Sequence, residues 1–159
     1  MGLFLRRCCC SDCLNLLLNF ICTDMNQNIC NSLISASVGI MLFFTVAVAP
    51  SIFKVLPAEW AAKYVRAFFP KYYLALSILT TTACFFANNS NTLIVLLGCA
   101  GVLFFCFTWL TPSINQARDL EFHRRFQVLH ALSVLLNLIV MLTFIGVLFQ
   151  AYTNLPLHY

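Results

Sequence analysis

Charged residues are absent from four long stretches of the chain, at residues 29–48, 72–87, 92–111 and 126–152, and polar positions within them are sparse. A helix that crosses a bilayer needs about 20 mostly apolar residues, because each adds about 1.5 Å toward a hydrocarbon core about 30 Å thick. None of the stretches alternates in the manner of a membrane β-strand. The pattern predicts an all-α fold, an integral membrane four-helix bundle over residues 28–152, with residues 1–27 as an N-terminal arm and 153–159 as a short tail.

The polar residues between the stretches set a sidedness. Lys54, Lys63, Arg66 and Lys71 lie between the first two spans, and Arg118, Arg124 and Arg125 between the last two, while the Asn88–Asn91 turn and the tail after Gln150 have no Lys or Arg. Basic loops stay in the cytoplasm, so the turn and the tail are expected outside. Arg6 and Arg7 stand against this orientation, since it places the N-terminus outside as well.

The basic loops carry helical signals of their own. After Leu56-Pro57, the stretch AEWAAKYVRAFF predicts a short helix opened by proline and ended by Pro70. Glu59, Lys63 and Arg66 share one face and Trp60, Tyr64 and Phe68 another, which predicts an amphipathic helix in the membrane surface. Phe68, Phe69, Tyr72 and Tyr73 suit the interfacial aromatic belt. Thr111-Pro112 opens a second helix, expected to run almost into the fourth span.

The first 24 residues fit none of these patterns. MGLFLRR followed by CLNLLLNFIC has the start of a signal peptide without its small-residue cleavage site, and the apolar part is too short to span. Arg6 occupies the position where an N-myristoylation signal needs Ser or Thr, and Cys8, Cys9 and Cys10 beside two arginines are candidates for palmitoylation. A start at Met25, or a loose arm, is the preferred expectation.

Composition narrows the class further. Of 159 residues, 62% are hydrophobic and 9% charged, against about 25% charged in ordinary soluble domains. That leaves too little polar cover for a soluble fold and too much apolar surface for disorder. The formal net charge of +4 sits in two clusters rather than along a basic face, so nucleic acid is not an expected partner.

One pattern has chemical content. Asp119, His123, Gln127, His130, Ser133 and Asn137 are spaced by 4, 4, 3, 3 and 4 residues, which on one continuous helix puts them within an arc of about 120°. Polar groups are costly in lipid, so this seam is expected to face the other helices, with Ser35, Ser77 and Thr81 as partners. Two roles compete for it. Either His130 centres a proton, metal, haem or substrate site, or His130, Ser133 and Asn137 are interhelical glue at about 0.6–2 kcal/mol per hydrogen bond. No second histidine lies within the spans, and His123 is about 10 Å from His130 along a helix, too far to share a metal.

The nine cysteines add little. Cys10-Ser-Asp-Cys13 has the spacing of a metal or redox pair but stands alone. Cys84, Cys99 and Cys106 read as small apolar residues, and Gly98, Ala100 and Gly101 as a patch for close helix approach. Asn88-Asn89-Ser90 matches a glycosylation sequon in a turn too near the membrane to be a good acceptor. No Gly-rich phosphate loop, GxSxG or HExxH is present, and no charged residue interrupts a span.

Three segments together resemble a known family. They are VAPSIFKVLPAEWAAKYVRAFFPKYY at 48–73, TWLTPSINQARD at 108–119, and FQVLHALSVLLNLI at 126–139. They resemble the transmembrane protein 205-like family, small four-span proteins that form a domain of unknown function. The resemblance implies four helices, a membrane location and no particular reaction. It marks Pro50, Phe53, Pro57, Phe69, Pro70, Tyr72, Pro112 and Arg118, together with His130, Ser133 and Asn137. Other small four-helix membrane proteins bind haem or copper, an analogy weakened here by the missing second histidine.

The expectation is a non-enzymatic membrane protein without a cofactor, in which the seam packs helices or binds or permeates a small solute. The alternative is a redox, haem or metal-handling protein with His130 as ligand. Expected partners are the lipid bilayer and a second copy or a larger membrane complex. Short loops point to a bacterial inner membrane.

Overall fold

The computed structural model describes the backbone of residues 5–153 and the side chains of residues 22–153. The proposed lipidation of the N-terminal cysteines, their Cys10–Cys13 spacing and the tail beyond Thr153 lie outside the described side chains. All described secondary structure is helical, without strands. Three stretches are long and apolar enough to cross a membrane: Cys22–Val55, Ser90–Asp119 and His123–Thr153.

The first helical run is longer than the pattern predicts. Helix α1 covers Leu5–Phe43, so the stretch expected as a separate arm is backbone-continuous with the first span. Asn15 and Asn19 do not interrupt it, because asparagine inside a helix costs well under about 1 kcal/mol. A five-residue π-helical turn, Phe44–Val48, joins α1 to helix α2, Ala49–Val55. Pro50 accounts for the turn: it has no N–H, and its ring excludes the carbonyl four residues back, so the hydrogen bonding slips to Ala49 N–H donating to Phe44 O. Leu56 precedes Pro57 and is forced to extended geometry (φ −96°, ψ 139°), which ends α2.

Helix α3 is a single element over Ala58–Phe85 with Pro70 inside it, not a short surface helix ended by Pro70. An interior proline costs about 3 kcal/mol. The aromatic packing around Pro70 offsets that cost. Phe44 stacks on Phe68 at 5.0 Å and meets Tyr72 at 5.0 Å, and Tyr72 and Tyr73 are edge-to-face at 5.3 Å. Such ring pairs contribute about 0.5–1.5 kcal/mol each beyond their buried area.

The turn after α3 is closed by side chains. Asn89 caps helix α4, Ser90–Phe105, its Oδ1 accepting from Asn91 N–H at 2.9 Å. The Asn88 amide donates to Thr23 O of α1 at 2.5 Å, so the sequon nitrogen is already engaged. A second π turn, Cys106–Leu110, then leads into helix α5, Thr111–Asp119, with Pro112 in its first turn. Each half of the chain thus has a long apolar helix, a five-residue π turn and a short helix opening on a proline, and Pro-Ser-Ile recurs at 50–52 and 112–114.

Between α5 and helix α6, His123–Thr153, the chain breaks at Leu120–Phe122. Phe122 N–H donates to Ala117 O and Glu121 N–H to Arg118 O, while Glu121 takes φ 56°. That is a Schellman cap with glutamate where glycine is usual. The expected helix from Thr111 into the fourth span does not form, and Asp119 terminates α5 instead of sharing a face with α6.

The long helices pack as α1 on α3, α3 on α4, α4 on α6 and α6 on α1, with α5 against α6. Ile34 and Met41 of α1, Leu76 of α3, Leu96 and Leu103 of α4, and Val140 and Phe144 of α6 fill the centre. The outward surface is also apolar: Val46 is 72% exposed, Phe85 83% and Phe149 68%. An apolar exterior of this kind marks a surface meant for lipid. Gly98 and Gly101 face open space, with nothing within 4 Å of an added Cβ, so they are not the close-approach patch the sequence predicts.

Candidate functional site

Helices α3 and α6 lie on a diagonal of the packing, without backbone contact between them. Two adjacent tyrosines on α3 reach across the gap. The Tyr72 hydroxyl donates to Asn137 Oδ1 at 3.1 Å, and the Tyr73 hydroxyl to Ser133 O at 3.5 Å. Ser133 Oγ turns back to donate to His130 O at 2.9 Å. Ser133 is 4% exposed and both tyrosines are buried. Asn137 is half-buried.

Beside these bridges the gap opens into two adjoining chambers. The larger, about 370 Å³, lies among α2, α3, α5 and α6. The smaller, about 210 Å³, lies toward the first π turn. Phe53, Val65, Phe69, Tyr73, His130 and Ser133 line both, and Arg66, Asn115, Arg118 and Phe126 join the wall of the larger. The two proline-started helices are therefore the side walls of one cleft, and the π turns before them set how they face it.

Across the mouth, Arg66 Nη1 of α3 meets Asp119 Oδ1 of α5 at 2.6 Å, with side chains 39% and 57% exposed. This is the sole ion pair among the described residues. The Arg118 guanidinium lies 5.7 Å from the centre of the Phe126 ring, and that ring stacks on His130 at 5.9 Å with the planes 4° apart. Nothing among the described residues hydrogen-bonds the ring nitrogens of His130.

The predicted seam therefore divides. Ser133 and Asn137 turn inward, and His130 lines the cleft while remaining exposed. His123 and Gln127 are exposed and line neither chamber, and Asp119 belongs to another helix. The partners also differ from those expected. Ser35 and Thr81 are exposed, Ser77 is buried outside the cleft lining, and Tyr72 and Tyr73 take the bridging role. Tyr73 carried no signal beyond its place in the aromatic belt. Of the positions the resemblance marks, Phe53, Phe69 and Arg118 line the cleft, Tyr72 bridges it, and Pro50, Pro57, Pro70 and Pro112 shape the helices around it.

A family model described as Domain of unknown function (DUF4149) matches residues 32–123, more than half of the chain. The chain belongs to this family. The DUF4149 match takes in both π turns, α2, α3, α4 and α5 and stops at the first residue of α6, short of His130, Ser133 and Asn137. An uncharacterized protein of Aquifex aeolicus (strain VF5) is 27% identical over 124 residues, covering 77% of this chain and 93% of that protein. No solved structure matches. Among the described residues, no group of three His, Cys, Asp or Glu side chains is placed to hold a metal ion. Cys30, Cys99 and Cys106 are buried and unpaired, as small apolar residues would be.

Proposed function

We propose that this DUF4149 protein is a four-span membrane protein that binds a small amphipathic molecule in the cleft between α3 and α6. The supporting observation is the larger chamber, whose volume of about 370 Å³ falls within the range of small-molecule sites, mostly apolar walls with a few convergent polar groups. Phe53, Val65 and Phe69 provide the apolar wall, and Ser133, Asn115 and the free edge of His130 the polar groups. Binding or passage of a solute is the proposed activity.

The fourth span in this proposal is the second half of α3. Residues 72–85 are uncharged and pack between α1 and α4, two helices that are themselves long and apolar. The basic residues of α3 and α5 lie at the same end as the cleft, which supports a mouth at the cytoplasmic surface. The likeness to the transmembrane protein 205-like family belongs to the same proposal, as does a bacterial inner membrane, which the Aquifex relative favours.

The test is the content of the purified full chain. After exchange into a neutral detergent, mass spectrometry of organic extracts should find an amphiphile retained by the wild type and lost from Val65→Trp, which fills both chambers, and from Ala62→Trp, which fills the larger. Identical extracts from all three proteins, each folded by circular dichroism, would overturn the proposal.

A further inference from the structure

Resting on the binding function proposed above, we infer that the amphiphile is anionic, with a carboxylate or phosphate head held at the cleft mouth by Arg118 and Arg66. The charge around the cleft is one-sided. Its charged lining residues are Arg66 and Arg118, and no Asp or Glu lines either chamber. Among the described residues Arg118 has no carboxylate partner, and it rests against the Phe126 ring. Arg66 pairs with Asp119, the residue after Arg118, and both arginines line the larger chamber. Guanidinium groups suit carboxylate and phosphate oxygens, which they bind with paired, charge-assisted hydrogen bonds.

Asp119 then acts as a resident counter-ion. Its pair with Arg66 is exposed at both ends, and an exposed pair contributes little to stability, so an incoming anion can replace it at small cost. The apolar chamber beneath takes the hydrocarbon tail, with Phe53, Val65 and Phe69 along its wall.

Binding of a dansyl-labelled undecanoic acid to the full chain in neutral detergent, followed by its fluorescence, tests this against the methyl ester of the same probe. The carboxylate should bind about tenfold or more tightly than the ester, the size of one charge-assisted contact. Arg118→Gln should remove about that factor and Arg118→Lys restore part of it. Asp119→Asn should tighten binding several-fold, because it frees Arg66; a merely structural Asp119 would give no gain. Displacement of the probe by vesicles of phosphatidylcholine containing phosphatidic acid, but not by phosphatidylcholine alone, identifies a phospholipid source; displacement by neither identifies a free fatty acid, and both support the inference. Equal displacement by the two vesicles, or displacement by inorganic phosphate alone at matched ionic strength, overturns it. Equal binding of acid and ester that Val65→Trp abolishes overturns the anionic head while leaving the cleft as a binding site. Fluorescence unchanged by Val65→Trp removes the cleft itself from consideration.

Discussion

The Tyr72 hydroxyl spans the α3–α6 diagonal to Asn137 Oδ1 at 3.1 Å, where the two helix backbones make no contact. The pair ties the two helices across the gap. Interhelical hydrogen bonds in membrane proteins contribute about 0.6 kcal/mol on average and at most about 1.7 kcal/mol. A double-mutant cycle of Tyr72→Phe and Asn137→Ala, measured by unfolding in detergent, should give a coupling in that range. Additive losses would show that the two side chains are neighbours without energetic connection.

Much of the membrane architecture is legible in the sequence, because charge-free length is a strong constraint in lipid and depends on no neighbour. Ser133 and Asn137 were legible for the same reason: polar residues on an apolar helix must face inward. Asp119 was not, because the break after it depends on Glu121 adopting a left-handed conformation that no glycine announces. Pro70 misleads in the opposite sense. Proline ends a helix by default, and only the packing of Phe44, Phe68, Tyr72 and Tyr73 in three dimensions offsets its cost. The repeated Pro-Ser-Ile is visible as letters, yet its consequence, a π turn on each side of the cleft, lies in hydrogen-bond register rather than residue type.

Glu121 offers a test of the helix break. A non-glycine residue in the left-handed region costs about 1–2 kcal/mol, part of which glycine recovers, offset by its freer unfolded state. Glu121→Gly is therefore expected to be neutral or to stabilise by up to about 1 kcal/mol, whereas β-branched Glu121→Val should destabilise. Thermal unfolding of the two variants decides it. A loss with glycine equal to the loss with valine would mean that the cap is not formed.

His130 separates structural glue from ligand contact. Its ring stacks on Phe126 and takes part in no hydrogen bond through its nitrogens among the described residues, so glue is left to Ser133, Asn137 and the tyrosines. His130→Ala should shift unfolding by about 0.5 kcal/mol or less, as exposed substitutions do, while weakening retention of the co-purified amphiphile. A drop of about 2 kcal/mol with amphiphile content unchanged would return His130 to a structural role.

The side of the membrane on which the cleft opens follows from two turns at opposite ends of the bundle. Asn88 ties the α3–α4 turn to Thr23 at the start of the first apolar stretch, whereas Arg66 and Asp119 join α3 to α5 at the other end. Among residues 22–153 the Lys and Arg side chains gather at the second end, so it should be cytoplasmic, with Arg6 and Arg7 of the first end as the opposing feature. In a background freed of native cysteines, a membrane-impermeant maleimide added to intact cells should label Asn89→Cys and leave Ala62→Cys unlabelled until the membrane is permeabilised. The Asn89 substitution removes a helix cap, at a cost of about 1 kcal/mol, which does not alter which side it reports. The reverse labelling would place the arginines of the cleft outside, and an anionic ligand would then enter from the external leaflet.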